Sequence, residues 1–422
     1  MMGSMMRRAM IGDSATLNVD FTSMTNGGQL ANAGFTFTNA TTTARTYINA
    51  SGIVATATTN EPRFDYTGGS ARGLLLEGTA TNLLQQSADW TVSPWSKPAQ
   101  ITWDGTTYAT APDGTTSAKQ ITVTGGSSAA IAQAVTTGTN RTISLWLRAG
   151  SLTSFSVGAF DSGGTTWGNN ADSTCRIISG PGSAPVQQVG GLWSITGLST
   201  TQWTRVQIFR STTYTNLLAY PGSSSGTING TAFMWGMQME DGNGASSYIP
   251  TGASSATRLA DSCVMGDISA LNYSTQFGSI YWSGIINKQP TSYITLIGFM
   301  TAGDQPTYET FGNALNYFTA ARGASLSAGG ANEVSRPYTL GSLIKYASAI
   351  NTVTDPIVRV NLNGSASSAN KTGTGDLYAA TRFVIGRQPS STYGANYPSV
   401  TIALVKYWPT AKTASELNAL TT

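Results

Sequence analysis

Apolar and polar residues alternate with a period of two over much of this chain, the signature of short β-strands with two distinguishable faces. The organising stretch is Phe233 to Arg258, FMWGMQMEDGNGASSYIPTGASSATR. Phe233, Trp235, Met237 and Met239 alternate with Met234, Gly236, Gln238 and Glu240, which predicts a strand. Asp241-Gly242-Asn243-Gly244 supplies residues that tolerate left-handed backbone, so the strand ends in a turn. Tyr248-Ile249-Pro250-Thr251 is predicted to be extended, because the residue before a proline is steered out of the helical region.

The same period predicts strands at Leu17–Phe21, Phe35–Phe37, Thr46–Ile48, Gly52–Val54, Asn60–Tyr66 and Arg72–Glu77. Gln120–Val123, Arg141–Arg148, Phe155–Phe160 and Arg205–Arg210 follow, with Ile143, Leu145 and Leu147 sharing one face. Trp90 to Trp103 contains Pro94 and Pro98 and is predicted to be a loop or irregular edge. After Asp261 the pattern starts again at Phe277–Ile286, Tyr293–Met300, Tyr308–Tyr317, Ile357–Leu362, Arg382–Gly386 and Val400–Tyr407. Asn363-Gly364 is a hairpin dipeptide, and Pro409 to Leu420 fits a short terminal helix. Short strands at such spacing predict an all-β protein: two tandem antiparallel β-sandwich (jelly-roll) domains after a short N-terminal β region.

Composition narrows this picture. At 422 residues the chain exceeds one ordinary core, and 47 glycines suit many tight turns. Ten Trp, 17 Tyr and 13 Phe allow a sizeable core despite only 10% charged residues. A net charge of +3 without a basic block gives no support for nucleic-acid binding. No run of 18 apolar residues predicts a membrane helix, and the start, MMGSMMRRAMIG, has neither the long apolar core nor the cleavage site of a signal peptide. Met1, Met2, Met5, Met6, Arg7 and Arg8 are instead expected to form an anchoring tail, the methionines filling irregular gaps on a neighbouring subunit. Cys175 and Cys263 are far apart without metal or redox spacing and are expected to be buried or half-buried thiols, an interdomain disulfide being the alternative. The chain has no histidine, which removes Ser-His-Asp and Cys-His nucleophile systems but not two-carboxylate hydrolysis.

Several of these motifs together resemble a known pattern. NEPRFDY (Asn60 to Tyr66), ARGLLLEGTATNLL (Ala71 to Leu84), Trp235 to Glu240, Ser247 to Thr251 and the TRLAD run ending at Asp261 are similar to segments of bacteriophage tail-fibre and virion-surface proteins. Gly78-Thr79 departs from that pattern, where an acidic and a longer polar residue usually stand. The resemblance implies a carbohydrate-binding-module-like jelly roll behind a small N-terminal region. VRVNLNG, RFVIGRQ and IALVKYWP with the TASELNAL helix resemble a laminin-G or concanavalin-A-like domain. Together they divide the chain into an attachment region (1–78), a first jelly roll (79–262) and a second sandwich (263–422).

No Glu-x-Asp-x-x-Glu run of the concanavalin-like glycosidases is present. The nearest acid pairs, Glu240 with Asp241 and Glu61 with Asp65, read as turn and surface residues, so no catalytic group is expected. Sugar binding is the favoured chemistry, since pyranose faces stack on aromatic rings while polar side chains bond the hydroxyls. The loop-borne candidates are Trp90, Trp95, Trp103, Tyr108, Trp167, Trp193, Tyr214 and Tyr220, with Tyr308, Tyr338, Tyr393 and Tyr397 in the second half. No cofactor is expected. A structural calcium is the one metal considered, with Asp104, Asp161, Asp241 and Asn243 as oxygen donors. The resulting expectation is a non-enzymatic virion fibre or decoration subunit, a cyclic homo-oligomer with a trimer as the favoured case. It would join other virion proteins through its N-terminus and adhere to host-surface glycans on the particle surface. The alternatives are a purely structural cement protein and a carbohydrate-active enzyme or its binding module.

Overall fold

A computed structural model describes residues 15–39, 43–160, 173–188, 191–289, 294–302, 306–312, 317–322, 334–351, 357–370, 379–386 and 399–422. The expected tail at Met1 to Arg8 lies outside them. The described residues form antiparallel sheets stacked as two β-sandwiches, as the strand pattern predicts.

In the middle sandwich, one sheet runs Ser173–Ser179, Thr204–Arg210, Arg141–Ala149, Ile228–Asp241, Ala118–Gly126 and Ile101–Thr102, with Tyr108–Ala109 also on Ala118–Gly126. The facing sheet runs Ile131–Gly138, Tyr214–Pro221, Phe155–Phe160, Trp193–Ile195 and Val186–Gln187. Ile143, Leu145 and Leu147 meet Phe155, Val157, Leu217 and Ala219 between them.

The second sandwich is not made from the C-terminal residues alone. Its larger sheet runs Ser365–Asn370, Ile357–Leu362, Leu343–Asn351, Phe277–Lys288, Ser399–Trp408, Gly73–Leu76 and Arg63–Asp65, and Leu17–Asp20 also lies on Ser399–Trp408. In the opposing sheet Thr36–Thr38 pairs with Ser262–Met265. The sheets therefore cross the expected boundaries at 78 and 262: strands from the N-terminal region complete the C-terminal sandwich. The physical reason is the edge of Ser399–Trp408, which pairs on one side with Phe277–Lys288 and on the other with two short N-terminal strands. Leu17, Val19, Phe64, Leu74 and Leu76 are buried in the same core as Trp282, Val358 and Tyr407. The hairpin Arg45–Ile48 with Val54–Ala57 instead covers the outer face of the middle sandwich, where Val54 packs with Trp146, Phe233 and Trp235.

The Ile228–Asp241 strand does not keep one alternation. Ser144 pairs with Gln238 and Trp146 with Trp235, so the register slips by one residue between them. Gly236 absorbs the bulge at φ +64, and a Cβ there would meet the Trp146 ring at 2.6 Å. Met237 and Met239 consequently join Met234 in the sandwich core, while Trp235 and Phe233 face the outer cluster. A bulge flips every later side chain to the other face, which corrects the simple period-two assignment. At Asn363-Gly364 the left-handed pair (φ 46 and 77) closes the predicted hairpin. The terminal helix spans Ala414–Thr421, later than Pro409, because the Thr413 and Glu416 capping box fixes its start.

Where the hairpin, both sandwiches and the Phe233–Arg258 stretch converge, five ionised side chains are buried together. Arg63 Nη1 donates to Glu77 Oε2 (2.6 Å), Thr46 O (2.9 Å) and Ser247 Oγ (3.0 Å), and Nη2 donates to Asp261. Arg258 stands 3.1 Å from Glu77, and Arg45 stands 3.4 Å from Asp261. Ser247 N and Oγ each donate to Glu77 at 2.6 Å, and Asn39 Nδ2 donates to Asp261 at 2.8 Å. Gly78, the departure from the motif, contributes its carbonyl to Arg258 Nη2 at 3.1 Å. NEPRF, LLLEG, SYIP and TRLAD thus meet as one cluster.

Two outcomes follow. Several large apolar side chains from 17–76 are each worth about 1.5–3 kcal/mol on burial, together comparable to a whole domain's stability of about 5–15 kcal/mol. A fragment of residues 263–422 alone is expected to bind hydrophobic dye and to unfold without a cooperative transition; a sharp transition matching the full chain would contradict the shared core. In the cluster, burial raises the Glu77 carboxyl, but Arg258, Arg63 and Ser247 outweigh it and hold the group at about 2, below its usual 4.5. A depressed carboxyl stabilises the fold above the unfolded value and loses that contribution as pH falls through the folded one. Arg63→Met is expected to cost about 3–5 kcal/mol in urea unfolding at neutral pH, and the wild type is expected to lose stability between pH 4.5 and 2. Glu77→Gln should flatten that loss.

Candidate functional site

The structure sorts the aromatic candidates by burial. Trp90 (1% exposed) and Tyr214 (0%) are core residues, and Trp95 is buried with Nε1 donating to the carbonyls of Gln85 and Gln86. None presents a ring face to solvent. The physical reason is that a proline-broken loop can still fold inward when its indole N–H finds carbonyl acceptors. Tyr220 and Tyr338 are also buried. Trp193 is half-buried, its Nε1 donating to Ser173 Oγ at 3.1 Å. Tyr308 lies on the Pro306–Gly312 strand opposite Phe299 and Arg322, and its side chain is outside the described residues, as are Trp167, Tyr393 and Tyr397.

Trp103 and Tyr108 are the two candidates that come together at the surface. Trp103 follows the Ile101–Thr102 strand and Tyr108 opens the Tyr108–Ala109 strand, and both strands pair with Ala118–Gly126, so the sheet holds the ends of the intervening turn. Asp104 fixes the turn itself: its Oδ1 accepts from Thr106 N (2.9 Å) and Thr107 N (2.7 Å), and its Oδ2 accepts from Thr107 Oγ1. Those donors hold the Asp104 carboxyl at about 2. Trp103 Nε1 donates to Thr107 O at 3.2 Å, which pins the indole. The rings meet edge to face, centroids 5.4 Å apart, and Tyr108 is 41% exposed. Lys119 Nζ stands 4.3 Å above the indole and is held by Asp89 (2.6 Å) and Thr91 (2.8 Å). The result is an exposed phenol ring on a fixed indole, flanked by a cation, carboxylates and hydroxyls. Such a surface can stack a pyranose and bond its hydroxyls.

A second feature is a cleft of about 50 Å³ where the hairpin meets both sandwiches, lined by Asp65, Arg72, Glu77, Arg205, Ser246 and Asn287 among others. Burial raises the Asp65 carboxyl, against donors from Thr67, and lowers the Arg205 guanidinium to about 10. The cleft has room for several waters. Asp65 and Glu240 are buried, which corrects their placement as surface or turn groups. Glu240 accepts from Ser246 N (2.8 Å) and Gln238 Nε2 (2.7 Å) and pairs with Lys288 (2.8 Å), tying the turn to the second sandwich. Glu61 caps Thr58, and Asp241 pairs with Arg141 at 2.8 Å.

Among the described residues, no three His, Cys, Asp or Glu side chains gather as a metal site. Of the calcium candidates, Asp104 and Asp241 are engaged as above, Asn243 Nδ2 donates to Gln289, and Asp161 lies outside the described residues. Cys175 is half-buried and Cys263 buried, both as free thiols, and burial pushes each upward, Cys175 to about 12. Inspection of the sequence missed Trp203, which packs at the rim of the outer cluster with Nε1 donating to Thr110 O at 2.8 Å. Its position just before the Thr204–Arg210 strand gave the only signal.

No protein-family model and no curated protein matches the chain. Among solved structures it is similar to the CBM40 of Ruminococcus gnavus IT-sialidase bound to α2,3-sialyllactose, at 12% identity and a TM-score of 0.30, over 36% of this chain and 86% of that one. It is also similar to Trypanosoma rangeli sialidase, at 14% identity and a TM-score of 0.29, over 38% of this chain and 25% of that one.

Proposed function

We propose that the protein is a non-catalytic adhesion subunit of a bacteriophage virion surface, holding host glycans on the Trp103–Tyr108 turn of its middle sandwich. The observation that carries the glycan part is that turn: an exposed ring on a pinned partner, with Lys119, Asp89 and Asp104 beside it. A platform already fixed by its own hydrogen bonds binds without further ordering cost. The virion part is supported by the motif resemblance, and the motif residues themselves serve the buried junction and leave the loops free. The subunit assembles as a cyclic homo-oligomer, a trimer, attached to other virion proteins through its N-terminal segment.

A glycan array with the full chain tests this. Binding to a defined set of sugars is expected, weakened at least tenfold by Tyr108→Ala and by Trp103→Ala, a change of about 1.4 kcal/mol. Silence across the array together with tight assembly onto particles would replace adhesion by a cement role. Release of reducing ends from a polysaccharide, lost on replacing one carboxylate, would replace it by catalysis.

A further inference from the structure

The arginines of this protein are, as a rule, well supplied with acceptors. Arg63, Arg141, Arg205, Arg210 and Arg258 each donate side-chain hydrogen bonds within the fold. Arg148 donates none. It is half-buried near the end of the Arg141–Ala149 strand, and its guanidinium stands over two rings, 5.5 Å from the Trp203 centroid and 4.8 Å from that of Phe233. Among the described residues its guanidinium forms no ion pair and no side-chain hydrogen bond; its Nε is buried without a partner, as are those of Arg63, Arg205 and Arg258. Burial lowers the pKa of its guanidinium, with no acid opposing the effect.

This arrangement has a direct chemical meaning. The two rings favour a cation through their π faces, but they accept none of the guanidinium's in-plane N–H donors. Its accessible donors are left for water or for an acceptor that displaces water. A planar carboxylate fits best, because the guanidinium fork can bond both of its oxygens at once. Trp203 is held in place by its bond to Thr110 O, and the exposed Thr201 and Gln202 precede it, so polar groups border the rings. Phe233 and Trp203 belong to the outer face of the sheet, whereas Trp103 packs against the sandwich core. The two surfaces are therefore separate.

We infer that Arg148, with Trp203 and Phe233, forms a second binding site that takes the carboxylate of an acidic sugar, a hexuronate, with Trp203 against the ring. The inference rests on the adhesion reading and extends it to uronate-bearing glycans.

The test titrates the full chain with an oligoglucuronate and with a neutral glucose oligomer of equal length, following heat of binding. The wild type is expected to bind the oligoglucuronate, Arg148→Gln at least tenfold more weakly, and Arg148→Lys also more weakly because an ammonium lacks the fork. Binding of the neutral oligomer should be the same in wild type and Arg148→Gln. Circular dichroism checks each variant, and if Arg148→Gln is unfolded then Arg148→Lys, which keeps the charge, carries the comparison. Unchanged oligoglucuronate affinity in the folded Arg148 variants overturns the site. If Tyr108→Ala then abolishes sugar binding, the adhesion reading survives and only this inference fails. No binding of these or any arrayed sugars by the wild type overturns both.

Discussion

Five charges buried at one point hold this architecture together. Arg63 reaches Glu77 and Asp261 at once, and its partners come from segments separated by up to 198 residues. Removing ions from water costs several kcal/mol each, and mutual attraction repays that only when the remaining donors and acceptors are also satisfied. Here Ser247, Thr46, Asn39 and the Gly78 carbonyl bond most of the remaining groups, while the Nε atoms of Arg45, Arg63 and Arg258 stay buried without a partner. Because each member is needed by the others, the hairpin, the two sandwiches and the Tyr248 segment are fixed in a single mutual arrangement. An apolar replacement of the whole cluster could be as stable, but it would not select among registers so sharply. The charged cluster is best understood as a specificity device at a junction where four chain segments must meet.

The Ile228–Asp241 strand carries that arrangement outward. Its bulge lets one strand feed two cores, with Met234, Met237 and Met239 on the inner side and Phe233 and Trp235 on the outer. Below the bulge, Gln238 and Glu240 follow Trp235 to the outer face, where Gln238 Oε1 accepts from Ile249 N at 2.7 Å and Glu240 meets Lys288. Without the one-residue slip these two polar side chains would enter the sandwich core with no partners there, and the methionines would face the junction. Gly236 is therefore a point where local backbone freedom decides a long-range outcome.

The local features of this fold were legible because their causes are local. Phe155–Phe160 is a strand over the predicted residues, and Asn363-Gly364 turns where only left-handed backbone fits. What could not be seen was pairing between distant segments. Nothing in Leu17–Asp20 or Gly73–Leu76 says that both lie on Ser399–Trp408, since a short apolar strand satisfies any open edge of matching length. The site was half legible for a related reason. Trp103 and Tyr108 stand at the two ends of an Asp-Gly turn, a local signal, whereas the burial of Trp90 and Trp95 depends on carbonyl acceptors and core neighbours brought by other strands. The Arg148–Trp203 pair was invisible because it forms only when two strand ends lie side by side.

The contrast between satisfied and unsatisfied groups separates scaffold from surface in this molecule. At the junction, the ionised groups are surrounded by partners from the same chain, and the small cleft beside them has room for water. At the Trp103–Tyr108 turn Asp104 bonds the Thr106 and Thr107 N–H groups, but an aromatic face is left open. On the opposite sheet face, Arg148 has rings beneath it and no acceptor in its plane. A guanidinium with no acceptor from the fold, next to a ring fixed by its own hydrogen bond, retains a local affinity for anions that the fold itself does not consume, and recognition of an outside molecule can draw on it.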